Sequence, residues 1–332
     1  MTEEAPVSAP APAPAPAPAR AAAKAEPRPH GVVAAGLVSA FLFSVPLVLP
    51  PLFPSGLVSP FPLLLQRLRG GLGPAVLATA VAAGTLGAAF SPAHAVVFLL
   101  LLAIPSLLIA ESLARGRGLL RGCGWAFVLV SLQISLALLL KSGPMASRVL
   151  APLDTIGSPQ FQEELKATGL PAESIQAWKE EATQLRSIMA VVFPGAYIIL
   201  GGLLVLANAT LLRFYLARRD PGWLEGGEFE RIRFSPLLAM TFVVAGSAVA
   251  VPDFRPAAYN VLLVLAFFFM LQGLAVAAFY AHRLNVPPPL RVAVVVLVLI
   301  NPWAPQILSL LGLFDTWIDF RKWAEPPDAR KE

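Results

Sequence analysis

The chain has little of what most enzymes and secreted proteins are built from. It holds one cysteine, Cys123, and three histidines, His30, His94 and His282, in 332 residues. One cysteine excludes an internal disulfide and a cysteine-built zinc site, and the histidines lie too far apart to share a metal-binding spacing. Charged residues make up only 14% of the sequence. His-Glu-x-x-His, a phosphate-binding loop, Gly-x-Ser-x-Gly and an aspartate pair inside an apolar run are all missing, so the sequence carries no known catalytic signature. The expectation is a non-enzymatic protein with no metal and no cofactor.

What is present is apolar. Hydrophobic residues account for 57% of the chain and the mean hydropathy is +0.70. Nearly charge-free runs recur at 32–54, 95–113, 119–140, 188–212 and 258–281, each near the roughly 20 residues a helix needs to cross a bilayer. A soluble domain could not hide that much apolar surface. The fold class expected is all-α, a polytopic transmembrane bundle of eight or nine spans, with the bilayer as its main partner. The net charge of +5 is expected on loops flanking the membrane and not on a nucleic-acid surface.

The spans predicted are 32–54, 56–67, 72–90, 94–113, 119–140, 188–212, 235–252, 258–281 and 289–313. Residues 1–31, dominated by Ala-Pro dipeptides between Ala5 and Ala19, read as an extended tail with no core to bury. No cleavable signal peptide is expected. The second span is short and carries Pro60 and Pro62, so it is either broken or re-entrant. Orientation favours a crossing. With the N-terminus inside, alternation gathers Arg67 and Arg69, Arg115, Arg117 and Arg121, Arg213, Arg218, Arg219, Arg231 and Arg233, and Arg283 and Arg291 on one side with Arg20, Lys24 and Arg28. Only Arg255 falls in the short loops opposite. That bias predicts a multi-pass protein of the bacterial inner membrane with a cytoplasmic N-terminus. Nine crossings would strand Arg321, Lys322, Arg330 and Lys331 on the wrong side. Pro302 and Pro305 interrupt the last run, so a hairpin of 289–301 and 303–318 gives ten crossings and a cytoplasmic C-terminus, the preferred arrangement.

The domain divisions follow: tail 1–31, membrane helices 32–140, an extramembrane segment 141–187, membrane helices 188–318 and a charged tail 319–332. Within 141–187, Ile175, Trp178, Ala182, Leu185 and Met189 recur at helical spacing, predicting an amphipathic helix that runs into the sixth span and lies on the outer surface or caps a cavity. Polar side chains in apolar runs are costly and so mark sites. Gln133, Asn208, Gln272 and Asn301 are the candidate cavity residues, neutral hydrogen-bonders suited to a small uncharged or zwitterionic solute; Asn260, Ser131 and Ser135 also fall within spans. Glu111 has Arg115 at i+4 as a local partner. Gly31, Ala35 and Ser39 fall four apart on the first span, a small-residue face that lets helices approach closely, used for internal packing or for docking another membrane subunit. Asp315 and Asp319, one turn apart beside Trp317 and Trp323, are expected to anchor the tail. Asp319 with Lys322, or Asp315 with a cytoplasmic-loop arginine, would make the clamp.

Several stretches together resemble the YybS-like family of bacterial membrane proteins, a domain of unknown function. They are Phe193-Pro194-Gly195 through Asn208 to Arg213, Phe234-Ser235-Pro236, Leu271-Gln272-Gly273-Leu274-Ala275, and the most specific, GLFDTWIDFRK at 312–322. The resemblance spans about residues 32–322 and singles out Asn208, Arg213, Gln272, Asp315, Asp319 and Arg321. It implies a membrane protein but carries no activity. The N-terminal half is also similar to substrate-binding subunits of energy-coupling-factor transporters, with Gly31, Ala35 and Ser39 as the docking face; the chain departs from them in about three further spans and the long segment at 141–187. The function expected is a transporter-like or substrate-binding subunit without its own ATPase. The alternative is a non-catalytic scaffold of envelope assembly.

Overall fold

A computed structural model describes residues 29–224 and 229–324. The Ala-Pro stretch with Arg20, Lys24 and Arg28, the final Arg330 and Lys331, and the side chains of Lys141 and Trp323 lie outside the described set. Among the described residues all regular structure is helical. The helices are α1 (Pro29–Val48), α2 (Phe53–Val58), α3 (Phe61–Gly70), α4 (Leu72–Ala89), α5 (Pro92–Val97), α6 (Ile104–Ala114), α7 (Leu119–Ile156), α8 (Pro159–Ala167), α9 (Ala172–Arg219), α10 (Pro236–Ala248), α11 (Arg255–Arg283), α12 (Pro288–Ile300) and α13 (Ala304–Ile318). Six helical segments are long and apolar enough to cross a membrane by length and composition: His30–Val48, Leu72–Ala89, Pro92–Ala114, Leu119–Leu140, α9 and α11.

Local sequence sets the breaks. Pro50 and Pro51 end α1, and Pro60 parts α2 from α3, because proline cannot donate to the preceding turn. Gly71 closes α3 at φ +91°, where a side chain would be strained. Between α5 and α6 the backbone widens into a π-turn at Phe98–Ala103, directly before Pro105, whose missing N–H such a turn absorbs. Pro194 sits inside α9. There Asn260 of α11 inserts its amide, accepting from the Gly195 N–H at 2.6 Å and donating to the Val191 carbonyl at 2.8 Å. One side chain thereby bridges a turn the helix leaves open and ties α11 to α9.

Contacts along the helices fix their directions. Gly56 of α2 meets Pro46, and Gln66 of α3 donates to the Gly31 carbonyl, so the broken α2–α3 segment runs back along α1. It makes the return pass along the bundle that the orientation argument required. A Cβ on Gly36 would meet Ala78 and Val81 of α4, making α4 parallel to α1. Gly201 of α9 packs on Val130 and Ile134 of α7, and Gly202 on Phe127; these two helices are antiparallel. In α11 and α13, Ser309 donates to the Ala266 carbonyl and Gln272 meets Asp315, so α13 runs parallel to α11. The Asn301-Pro302 break therefore makes a hairpin of α12 and α13. It returns the chain to the end where α1 begins and where α3, α6 and α9 finish. Counting α2–α3 and α5–α6 as one pass each, the described residues run ten times between the two ends of the bundle.

Three apolar clusters hold it together. One joins α3, α6, α7 and α9 around Leu64, Ile109, Val130 and Leu212; a second joins α1 and α4 to the π-turn around Phe43, Leu86 and Phe98; a third joins α10, α11 and α13 around Phe269 and Leu313. The closest approach is between α11 and α13. A Cβ on Gly273 would stand 2.0 Å from the Leu308 carbonyl oxygen, and one on Gly312 1.9 Å from that of Phe269. The outer faces carry Phe41, Leu132, Val244 and Ile300, all at least 65% exposed, which is tolerable only in lipid.

The amphipathic stretch in the segment 141–187 runs into the sixth span, as its spacing suggested. It is the first part of the 48-residue α9, about 72 Å long at 1.5 Å per residue. The 38-residue α7 accompanies it, so both helices project beyond the bundle as a hairpin closed by α8. Ile175 and Ala182 are buried in that hairpin while Trp178 and Leu185 are exposed.

Candidate functional site

The basic end of the bundle is where charge concentrates. At the first of two clusters, Glu111 pairs with Arg115 as its spacing suggested and also with Arg67 across the α3–α6 contact. Arg69 donates to the Tyr215 hydroxyl, joining α3 to α9. Sequence spacing found only the local half, because the Arg67 contact exists only once α3 has run back along α1.

The second cluster is built on the C-terminal motif. Gln272, fully buried in α11, accepts from the Phe234 N–H at 3.0 Å and donates to Asp315 Oδ2 at 2.9 Å. Arg321 reaches the same oxygen at 2.9 Å. Its two terminal nitrogens also donate to the Glu230 and Ile232 carbonyls at 2.5 and 2.7 Å, while its Nε and Asp315 Oδ1 are buried without a partner among the described residues. Asp315 is 2% exposed and Arg321 5%, so neither charge has water to fall back on and each depends on the other. Asp319, in the left-handed conformation at the end of α13, binds Arg233 through both oxygens and Lys322 at 3.5 Å. Burial alone would raise the Asp319 carboxyl, but the hydrogen bond and charge of Arg233, then those of Lys322, hold it below its ordinary value. The Tyr280 hydroxyl donates to the Phe320 carbonyl at 2.6 Å. The Asp319–Lys322 pair that the sequence suggested is present, with the loop residue Arg233 as a further partner of Asp319, whereas Asp315 takes Arg321 and no loop arginine.

This latch shapes a cavity. By holding the backbone of 230–232 it fixes the loop before α10, which forms one wall of a hollow of about 420 Å³ between α7, α9 and α11. Phe127, Val205, Leu206, Phe267, Phe268 and Leu271 line it, and Arg121, Arg231 and Arg233 stand at its polar edge. Gly202 leaves the room: a Cβ there would meet Phe127 at 2.7 Å and Phe267 at 3.1 Å. Phe268 packs edge-on against Phe127 and Phe234. A partly enclosed, largely aromatic hollow with few polar groups has the character and size of small-ligand sites, about 300–1,000 Å³.

The four candidate cavity residues do not meet there or elsewhere. Gln133 is half-buried on α7, about 5 Å beyond the Val130–Gly201 contact toward the far end. Asn208 lies seven residues after Gly201, about 10 Å the other way, and donates to the Leu204 carbonyl of its own helix. Gln272 belongs to the latch. Asn301 is exposed at the α12–α13 turn, where it accepts from the Trp303 N–H. Fourteen residues of chain separate it from Asp315, about 20 Å of helix. The four side chains thus stand at separate levels of the bundle, with Gln133 Oε1 and Asn208 Oδ1 buried without a partner among the described residues. On the first span the small-residue face serves internal packing. Ala35 and Ser39 are buried in the chain's own bundle and only Gly31 is exposed. Arg213 is exposed on α9, with no ion pair among the described residues. The metal expectation stays where it was: the described residues hold no cluster of three or more potential ligands.

Sequence reading missed the arginine-edged hollow. Arg121, Arg231 and Arg233 counted only as markers of sidedness, and the alternation Arg231-Ile232-Arg233-Phe234 was the signal that one strip of backbone offers both charge and apolar wall. No curated protein and no solved structure matches the chain. The profile of the family described as "Predicted membrane protein (DUF2232)" matches residues 37–316, from the first span through the latch aspartate, and the chain belongs to that family.

Proposed function

We propose that the chain is a non-catalytic, ligand-binding subunit of the bacterial inner membrane, transporter-like in its use of a cavity and without an ATPase of its own, with the arginine-rich end in the cytoplasm. The observation that carries the reading is the hollow of about 420 Å³, apolar inside and basic at the edge. The clustering of arginines at that one end supports the orientation. Native mass spectrometry of the intact chain from mild detergent tests it. One retained small molecule or lipid is expected on the parent protein and none on Gly124→Trp, a variant that fills the hollow from a position with nothing within 4 Å of a new Cβ. Identical spectra for the two would contradict the reading. The second reading, a membrane scaffold, is favoured by the α7–α9 hairpin that projects beyond the bundle, which offers a partner a surface outside the bilayer.

A further inference from the structure

We infer that the hollow takes one acyl chain of an anionic phospholipid, with the lipid phosphate on Arg121 and Arg231. The inference rests on the ligand-binding reading above and names the class of ligand.

Charge is the first argument. The hollow is lined by three arginines and by no aspartate or glutamate. Arg233 is already engaged by Asp319. Arg121 and Arg231 are exposed and line the same space with no ion pair among the described residues. Arg121 also lies in the first turn of α7, where unsatisfied backbone N–H groups favour a negative charge. Depth is the second argument. Both arginines lie at the end of the bundle where helices finish and loops begin, the level at which lipid headgroups sit.

Shape decides between a lipid and a free anion. Behind the arginines the walls are phenylalanine, leucine and valine, which a bare phosphate would leave empty. A volume of about 420 Å³ suits one chain and not a whole diacyl lipid. A shallower groove of about 590 Å³ runs beside it along the outer face of α7, past Arg117, Trp125 and Val128, and shares Arg121 and Gly124 with the hollow. The second chain lies there, facing the bilayer, while the phosphate spans the shared edge.

The test exchanges defined lipids onto the purified full-length protein and reads retention by native mass spectrometry. Phosphatidylglycerol should be retained one per chain in preference to phosphatidylcholine with the same chains. Arg121→Gln with Arg231→Gln should lower retention about 25-fold, taking about fivefold for each arginine, and Arg121→Lys with Arg231→Lys should restore most of it. Equal retention of phosphatidylcholine, or no change in the double glutamine variant, would overturn the inference while leaving a ligand-binding cavity standing. Displacement by inorganic phosphate would overturn the lipid as the source of the anion. Retention of neither lipid, with Gly124→Trp indistinguishable from the parent, would overturn both the inference and the reading beneath it.

Discussion

The two ends of this molecule use charge in opposite ways. At the basic end Asp315 and Arg321 are buried together and tie the last helix to α11 and to the loop before α10. At the far end the α7–α9 hairpin has one ion pair between its long helices among the described residues, Arg186 with Asp154, and both side chains are about half exposed, at 48% and 50%. Water competes for the second pair and cannot reach the first. The difference teaches where order is enforced: the basic end is fixed by interactions that fail together, and the projecting hairpin is held mainly by two helices lying side by side.

The largest effect is expected where no side chain fits at all. Gly273→Leu or Gly312→Leu must push α11 and α13 apart at backbone level, at a cost of about 3 kcal/mol or more. Thermal unfolding in detergent should show it, together with proteolysis of the released C-terminal segment. Next, Asp315→Asn leaves Arg321 buried without its counter-charge and should cost about 3–5 kcal/mol. A double-mutant cycle with Arg321→Met should recover part of that loss, and a purely additive result would detach the two residues from one another. Asp319→Asn is smaller, about 1 kcal/mol, because Arg233 and Lys322 remain largely solvated. Its pH dependence has a definite sign. Asp319 has a depressed pKa in the folded state, so its contribution is complete above the ordinary carboxylate value of about 3.9 and is lost as pH falls through the lower folded value. The difference between parent and Asp319→Asn should therefore be constant from pH 8 to about pH 5 and close only below about pH 4. Arg186→Ala should change stability by less than about 1 kcal/mol. A large loss there would erase the contrast between the two ends.

Much of the fold was legible because lipid leaves the chain few choices. Long apolar runs must be helices, and Pro60, Asn301-Pro302 and Pro305 mark where they break. The arginine bias called for a return pass by the short α2–α3 segment and pointed to the hairpin at the end, and the helices run in those directions. The site was less legible. Asn208 and Asn301 drew attention as polar groups in apolar runs, yet an asparagine in a helix can donate to the preceding turn, as Asn208 does, or cap a break, as Asn301 does. Gln272 and the aspartates stood out in the sequence, and so did the Asp319–Lys322 pair, but the joining of Gln272, Asp315 and Arg321 did not, because it depends on α13 lying parallel to α11. The same holds for Gly273 and Gly312: neither belongs to the small-residue stripes that spacing picked out, and only the crossing brings them together. The amphipathic repeat at 175–189 was real, but periodicity does not say whether a helix stops at the membrane surface or stands out from it.

The central claim is that α12 and α13 form a hairpin, so that the latch sits at the same end as the arginine loops. Labelling with a membrane-impermeant maleimide in sealed vesicles tests it directly, using single cysteines on a Cys123→Ser background. Lys322→Cys should react from the same side as Arg218→Cys at the end of α9, and from the opposite side to Lys166→Cys in the hairpin. Reaction of Lys322→Cys together with Lys166→Cys would place the tail across the membrane and contradict the account.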